Sequence, residues 1–252
     1  MKTSNKLLII FFTCIPLSLL AYNTLLKQSY QAGNFVSEFY PDINSNYEEK
    51  NLPAFKHIVI DGLVKSPNAR TEQGQMPTVS IGNASTYPKS ESTQNRIGII
   101  TQYADVLRTT VKNDTLFVSL FTKAKDAYIT TGDKALLQIK ATDVTSVSIS
   151  YAYATITDKP SAADSLKLTV IYNGIYNVNN LYINNLSVYG SGMAQTYIYG
   201  NNKIQNFNYS LLAESLLHID GHPIQHYRAI KVDEKASIEI KDKAANMQKE
   251  LQ

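Results

Sequence analysis

The feature that most constrains the fold of this 252-residue chain is a repeat of 21 residues near its C-terminus. Segments 186–200, 207–221 and 228–240 align when the sequence is shifted by 21 positions, with apolar residues falling in common columns. The columns are Val188, Tyr209 and Ile230; Ala194, Ser215 and Ala236; Thr196, Leu217 and Ile238; Ile198, Ile219 and Ile240; and Gly200 with Gly221. A period near 20 residues in a strand-rich sequence is typical of a β-solenoid, in which each turn buries its inward face against the next.

Two further segments predict strands directly. Residues 145–158 alternate through Val147, Ile149, Tyr151 and Tyr153, and residues 165–174 through Leu166, Leu168, Val170 and Tyr172. A period of two with small or polar partners predicts half-buried strands, and the 17 Tyr residues favour them too. We therefore predict an all-β fold, a right-handed parallel β-helix (β-solenoid) with about 21 residues per rung. An ordinary β-sandwich with evenly spaced hairpins is the alternative.

The N-terminus predicts export. Residues 7–26 carry no charge, and a helix of that length spans about 30 Å, the thickness of a bilayer core. Lys2 and Lys6 precede it, so the positive-inside rule keeps residues 1–6 in the cytoplasm. We therefore predict a single-pass transmembrane anchor in the inner membrane, with the C-terminal domain in the periplasm.

Two alternatives to this anchor stay open. A signal peptide could be cleaved after Ala21, and a lipid could be attached to Cys14, the single cysteine. All three readings place the body of the chain outside the cytoplasm.

The body divides by composition. Residues 27–52 predict a juxtamembrane spacer, residues 53–242 the β-solenoid domain, and residues 243–252 a polar tail. Turns are expected at Asp61–Gly62 and at Asn113–Asp114.

Charge and motifs exclude several functions. The 24 Lys and Arg nearly balance the 21 Asp and Glu, and no basic cluster occurs, so a nucleic-acid partner is not expected. No nucleotide-binding or hydrolase motif is present. A β-helical polysaccharide-processing enzyme (lyase or glycoside hydrolase) is the alternative, but it needs clustered carboxylates, and the acids here are dispersed. We predict a non-enzyme without a cofactor.

The stretch "HIDGHPIQH" (218–226) raises the question of a metal site. On a helix its three histidines would share one face, as zinc ligands do. Gly221 and Pro223 argue for a strand followed by a corner, and residues four apart on a strand lie about 13 Å apart. We predict no metal site; His218 and His222 are candidates only if a sharp turn joins them.

Binding has clearer support. Tyrosine rings stack on sugars and asparagine amides bond hydroxyls, although buried tyrosines and stacked asparagines are also structural devices. The expected partner is a glycan or an envelope protein, besides the membrane through residues 7–26. Self-association through an exposed terminal rung is also open. The candidate ligand-binding residues are Tyr189, Tyr197, Tyr199, Asn201 and Asn202.

The order of three motifs resembles a known family. "LPAFKHIVIDG", "VKNDTLFVSL" and "NNLSVYGSGMA" follow one another as in the bacterial "putative auto-transporter adhesin, head GIN domain" family, over about residues 52–242. The resemblance implies a β-helical envelope protein and supplies no catalytic residue. Together these observations predict a membrane-anchored, adhesin-like module for binding or scaffolding.

Overall fold

The computed structural model describes residues 18, 22–24, 47–65, 73–74, 76–83, 94–121, 135–157, 164–220 and 224–241. The chain divides into two units, Met1–Asn46 and Tyr47–Gln252, and the features below belong to the second. Within the described part of the chain, no helix is long and apolar enough to cross a membrane. Most of the predicted anchor at 7–26 lies outside the described residues, as does the predicted tail.

The described residues of the second unit form β-strands and one short 3-10 turn at Thr101–Tyr103. The strands are β1 (Tyr47–Asn51), β2 (His57–Lys65), β3 (Gln73–Gly74), β4 (Thr78–Asn83), β5 (Arg96–Ile100), β6 (Leu107–Lys112), β7 (Thr115–Phe121), β8 (Leu137–Ala141), β9 (Ser146–Ser150), β10 (Tyr153–Thr157), β11 (Ser165–Ile171), β12 (Ile175–Asn179), β13 (Tyr182–Ser191), β14 (Gln195–Tyr199), β15 (Lys203–Leu212), β16 (Leu216–Asp220), β17 (His226–Val232) and β18 (Ser237–Lys241).

From β9 onward the chain coils between two sheets. Sheet A has the order β1-β5-β8-β4-β10-β12-β14-β16-β18, and sheet B has the order β17-β15-β13-β11-β9-β2-β7-β6. Neighbouring strands from β9 to β18 pair in parallel, with offsets between 20 residues (Leu168 to Val188) and 22 residues (Tyr153 to Ile175). The predicted β-solenoid is confirmed, with about four turns of about 21 residues each.

The predicted columns match the strand registers with one shift. Ile198 pairs with Ile219 and Ile219 with Ile240, as the repeat requires. In sheet B, however, Tyr209 pairs with Ala229, and a bulge follows before Ser210 pairs with Lys231. Ile230 is the extra residue of that bulge and is 58% exposed, so its predicted pairing with Tyr209 is wrong.

The core between the sheets is a set of apolar ladders. In sheet A, inward side chains of successive strands stack in register and are buried. Tyr176 occupies the ladder position beside the small Ala154, and its ring fills the space that the alanine leaves. The hydroxyl of Tyr176 crosses to sheet B and donates to the carbonyl oxygens of Val147 (2.9 Å) and Thr169 (3.3 Å). One buried hydroxyl thus ties the two sheets together.

A corner leads from sheet B to sheet A in each rung. The register places Tyr151, Tyr172, Gly192 and Ala213 in one column there, and all four have positive φ, between 47° and 67°. This left-handed backbone shifts the inward–outward alternation of side chains by one residue. Tyr151 and Tyr153 therefore face outward, while Ala152 is buried. We predicted that Tyr151 and Tyr153 continue the series of Val147 and Ile149, and that Tyr172 continues the series of Val170. That alternation is wrong from the corner onward.

The rungs at the N-terminal side are not stacked in chain order. The first rung in the sequence, β2 with β4, lies between the rung of β7 with β8 and the rung of β9 with β10, and all these pairs are parallel. Beyond β7 and β8 the pairing becomes antiparallel, through β6 in sheet B and through β5 and β1 in sheet A. The coil is therefore closed at this end by antiparallel strands, which the all-parallel prediction did not include.

Three local predictions in this region had different outcomes. A two-residue turn joins β6 to β7 at Asn113–Asp114, both with positive φ, as predicted. No turn occurs at Asp61–Gly62, because β2 continues to Lys65 with a shift of register after Asp61. Strand β1 lies inside the stretch 27–52 that was expected to be a spacer.

Candidate functional site

The outward side of sheet A carries rows of polar and aromatic side chains that run across the strands. One row passes through Thr155, Asn177, Tyr197, His218 and Glu239 on five successive strands. Adjacent strands lie about 4.8 Å apart, so successive side chains of the row are neighbours. Tyr153 and Tyr199 stand in the rows on either side. We call Tyr153, Asn177, Tyr197, Tyr199 and His218 the aromatic face.

The centre of the aromatic face is the contact of Tyr197 with His218. Their ring centroids are 5.7 Å apart and the rings are tilted by 45°. The Tyr197 hydroxyl donates to Oε1 of Gln195 at 2.8 Å, which fixes the phenol ring. Nδ1 of His218 lies 3.0 Å from Oε2 of Glu239. A carboxylate only accepts hydrogen bonds, so Nδ1 of His218 is the donor in this pair.

Tyr153 extends the aromatic face toward the N-terminal rungs. Its hydroxyl oxygen accepts a hydrogen bond from the Asn177 amide. Partial burial raises the pKa of Tyr153, and the neighbouring Tyr199 and Tyr197 raise it further. The phenol is therefore neutral at physiological pH. The aromatic face thus presents aromatic rings, phenol hydroxyls and an amide.

The predicted binding residues do not share one surface. Tyr197 and Tyr199 lie on the aromatic face. Tyr189 belongs to β13 and points outward from sheet B, in a shallow depression of about 200 Å³ shared with Lys167 and Asn208. Asn201 is exposed in the connection between β14 and β15. Opposite sides of the coil therefore hold residues that the sequence grouped together.

Asn202 needs a correction, because its side chain is buried, with 3% exposure. Its Oδ1 accepts from the backbone N–H of Leu181 at 2.8 Å, across one turn of the coil. Its Nδ2 donates to the carbonyl oxygens of Tyr199 at 2.8 Å and Val178 at 3.4 Å. This amide holds two successive corners together, so we leave Asn202 out of the binding surface.

This arrangement predicts a difference between adjacent asparagines. Asn202→Ala should lower the free energy of unfolding by about 2 kcal/mol, because the buried N–H of Leu181 loses its acceptor. Asn201→Ala, at the exposed neighbouring position, should stay within about 0.5 kcal/mol of wild type. Urea unfolding followed by circular dichroism measures both variants, and equal losses would show that the Asn202 hydrogen bonds contribute nothing specific.

The histidines are separated by the fold. His218 lies in sheet A, with its side chain 14% exposed, whereas His226 begins β17 in sheet B. His222 lies outside the described residues. Among the residues that are described, no group of three His, Cys, Asp or Glu side chains is placed to hold a metal ion.

Sequence reasoning missed Tyr153 and Asn177 of the aromatic face, and Gln195, which accepts a hydrogen bond from the Tyr197 hydroxyl. The repeat contained the signal. Asn177 lies one turn before Tyr197, and Tyr153 lies one turn before Ile175. The offsets of 20 and 22 residues at these steps hid that relation from a strict period of 21.

Comparison with known proteins found no matching family model and no matching curated protein. One similar solved structure is a "putative adhesin" from Parabacteroides merdae ATCC 43184, with 14% identity, a TM-score of 0.34, and coverage of 78% of this chain and 95% of that one. Another is a "putative adhesin" from Bacteroides fragilis NCTC 9343, with 11% identity, a TM-score of 0.36, and coverage of 77% and 96%. A third is a "putative lipid binding protein" from Parabacteroides distasonis ATCC 8503, with 12% identity, a TM-score of 0.32, and coverage of 79% and 98%.

The names of these neighbours describe adhesion and binding rather than catalysis. The resemblance to the head GIN family is not confirmed, since no family model matches. The architecture described above rests on the strand registers of this chain.

Proposed function

We propose that this protein is a non-enzymatic, adhesin-like binding module of the bacterial cell envelope, which holds a glycan on the aromatic face. The observation that carries the proposal is the cluster of half-buried rings at Tyr153, Tyr197, Tyr199 and His218, with the Asn177 amide bonded to the Tyr153 hydroxyl. Rings that are fixed by hydrogen bonds lose little entropy when a ligand packs on them.

The chemistry of the aromatic face suits a neutral sugar. A pyranose offers C–H faces that pack on aromatic rings and hydroxyls that pair with phenols and amides. Side chains here repeat about every 4.8 Å along the coil, and a polysaccharide also repeats along its length. Between β4 and β18 the outward acids of sheet A are Asp220 and Glu239, and Glu239 is engaged with His218.

The same proposal includes the location. Residues 7–26 would anchor the chain in the inner membrane with the β-solenoid in the periplasm, where cell-wall glycans are within reach. A module held in this way can act as an adhesin or as a scaffold without further chemistry.

The test is co-sedimentation of the full-length protein, in detergent, with purified peptidoglycan sacculi and with insoluble chitin. Tyr197→Ala should weaken binding up to about tenfold, because one stacking contact contributes about 1 kcal/mol beyond its buried area. Tyr182→Ala removes a 45% exposed tyrosine that projects from sheet B and should bind like wild type. Wild-type protein that stays in the supernatant with both polymers, or equal losses in the two variants, would overturn the proposal.

A further inference from the structure

The tyrosine stack at the corner of the coil stops abruptly. Tyr151 and Tyr172 occupy successive positions of the corner column, and their rings are stacked with centroids 5.9 Å apart and planes 13° apart. The next two positions of the column are Gly192 and Ala213, which have no ring to continue the stack. The column is therefore bare of large side chains for two rungs, roughly 10 Å along the coil.

The space beyond Tyr172 is open to solvent and partly apolar. A Cβ atom built on Gly192 would lie 3.5 Å from Cδ1 of Tyr172, so this ring edge faces the bare positions. Tyr172 is 58% exposed and Met193 is 52% exposed, which is unusual for large apolar side chains so close together. Together with Ala213 they line a groove of about 230 Å³, which we call the corner slot.

The rim of the corner slot is polar and carries both signs of charge. Asn173, Glu214 and Lys235 also line the corner slot. These side chains offer an amide, a carboxylate acceptor and an ammonium donor around an apolar floor. Since the charges oppose each other, the rim favours a neutral ligand with many hydroxyls over an ion.

The backbone gives a second reason to assign a role to these rings. Positive φ is costly for a bulky side chain, and the same chain places Asn173 and Gly192 in this conformation at neighbouring corner positions. Tyr151 and Tyr172 adopt it at φ of 47° and 48°. Two stacked tyrosines in a conformation that tyrosine disfavours, one of them 58% exposed, point to a role for the rings in binding.

We infer that the corner slot binds one pyranose ring of a glycan, stacked on Tyr172 in the place where a third ring of the column would stand. The sugar's C–H face packs on Tyr172 and Met193, and its hydroxyls reach Glu214, Lys235 and Asn173. At about 230 Å³ the groove is smaller than the pockets of drug-sized ligands, so it accommodates a single ring. The corner slot lies at the corner column and does not depend on the aromatic face.

The experiment is saturation-transfer NMR on the full-length protein in lipid nanodiscs. The probes are methyl β-D-glucopyranoside, methyl β-D-galactopyranoside and methyl N-acetyl-β-D-glucosaminide, each titrated separately. A single ring should bind with a dissociation constant of roughly 1 mM. Tyr172→Ala should weaken the best probe about tenfold by removing the stacking surface.

A second variant fills the corner slot instead of removing its stacking surface. Ala213→Tyr keeps the fold because Ala213 already carries, at φ of 54°, the Cβ atom that makes this conformation costly, so the added ring brings little further backbone strain. The new ring should occupy the slot and abolish transfer to the probe. Thermal unfolding midpoints identify any variant that fails to fold, and Met193→Ala then serves in its place, with an expected loss of several-fold.

Tyr197→Ala and Tyr182→Ala are the controls, and both should keep monosaccharide binding. Absence of transfer to all three probes in wild type, or transfer that persists in folded Ala213→Tyr, would overturn the corner slot. Loss of binding in Tyr197→Ala alone would likewise overturn it while supporting the aromatic face, so the two proposals fail separately.

Discussion

Gly62→Ala should lower the free energy of unfolding by about 3 kcal/mol or more, the largest effect expected of an added methyl group among the described glycines. A Cβ atom at Gly62 would lie 1.8 Å from the carbonyl oxygen of Tyr151 and 2.8 Å from Cδ of Pro77. The first clash is with backbone, which cannot rotate away as a side chain would. Either β2 or the corner at Tyr151 must shift, and both lie where the first rung of the sequence meets the regular coil.

Gly82→Ala is the matched control in the same rung. Its Cβ atom would lie 3.4 Å from the carbonyl oxygen of Thr157, close to ordinary contact distance. It should therefore change stability by less than about 1 kcal/mol. Urea midpoints of the two variants, followed by circular dichroism, give the comparison. Similar midpoints for both would mean that β2 and Tyr151 are not packed as closely as described.

The second large effect is loss of stability in alkali. Burial raises the pKa of Tyr176 well above its ordinary value, and burial also raises the pKa values of Tyr209 and Tyr227. In the unfolded chain a tyrosine ionises near pH 10. Above that pH the unfolded state binds fewer protons than the folded state, so stability falls with rising pH until the folded-state pKa is reached, by up to about 1.4 kcal/mol per pH unit for Tyr176. Below pH 10 the contribution is fully present.

Tyr176→Phe isolates one of these contributions. At pH 7 the variant should be less stable than wild type by about 1 kcal/mol, because the hydrogen bonds to Val147 and Thr169 are lost. From pH 10 to 11 wild type should lose stability faster than the variant, so the difference should shrink by about 1 kcal/mol. Tyr182→Phe, at an exposed position, should follow the wild-type curve. Parallel curves for wild type and Tyr176→Phe would contradict this account.

The sequence predicted the regular part of the fold because burial of one face of each strand requires apolar residues at regular intervals in the sequence. Ile198, Ile219 and Ile240 stack as the period of 21 requires, and each inward position of the ladder demands an apolar side chain. That pattern is strong wherever the strands of one rung follow each other directly. It was also enough to place Leu217 inward and His218 outward.

The corners were beyond the reach of the same reasoning. Alternation of inward and outward side chains assumes an extended backbone. The left-handed residue Tyr151 reverses that alternation, and no glycine stands there to indicate a left-handed conformation. The role of Asn202 was ambiguous for another reason, because an asparagine that binds a ligand and one that satisfies a buried N–H look alike in sequence. The order of the N-terminal rungs follows from pairings between residues 89 apart, such as His57 and Ser146, which no local pattern encodes.

The position of β2 and β4 between rungs that are encoded later has a consequence for how the chain folds during synthesis. When these two strands leave the ribosome, neither neighbour in either sheet has been made. On one side, β2 pairs with β9 and β4 pairs with β10. This rung therefore lacks strand partners on that side until residue 157 has emerged. Contacts of such long sequence separation slow folding, and open strand edges attract other chains meanwhile. We expect the nascent chain to depend on a holding chaperone until β10 is complete, after which the remaining rungs can add one at a time in the order of translation.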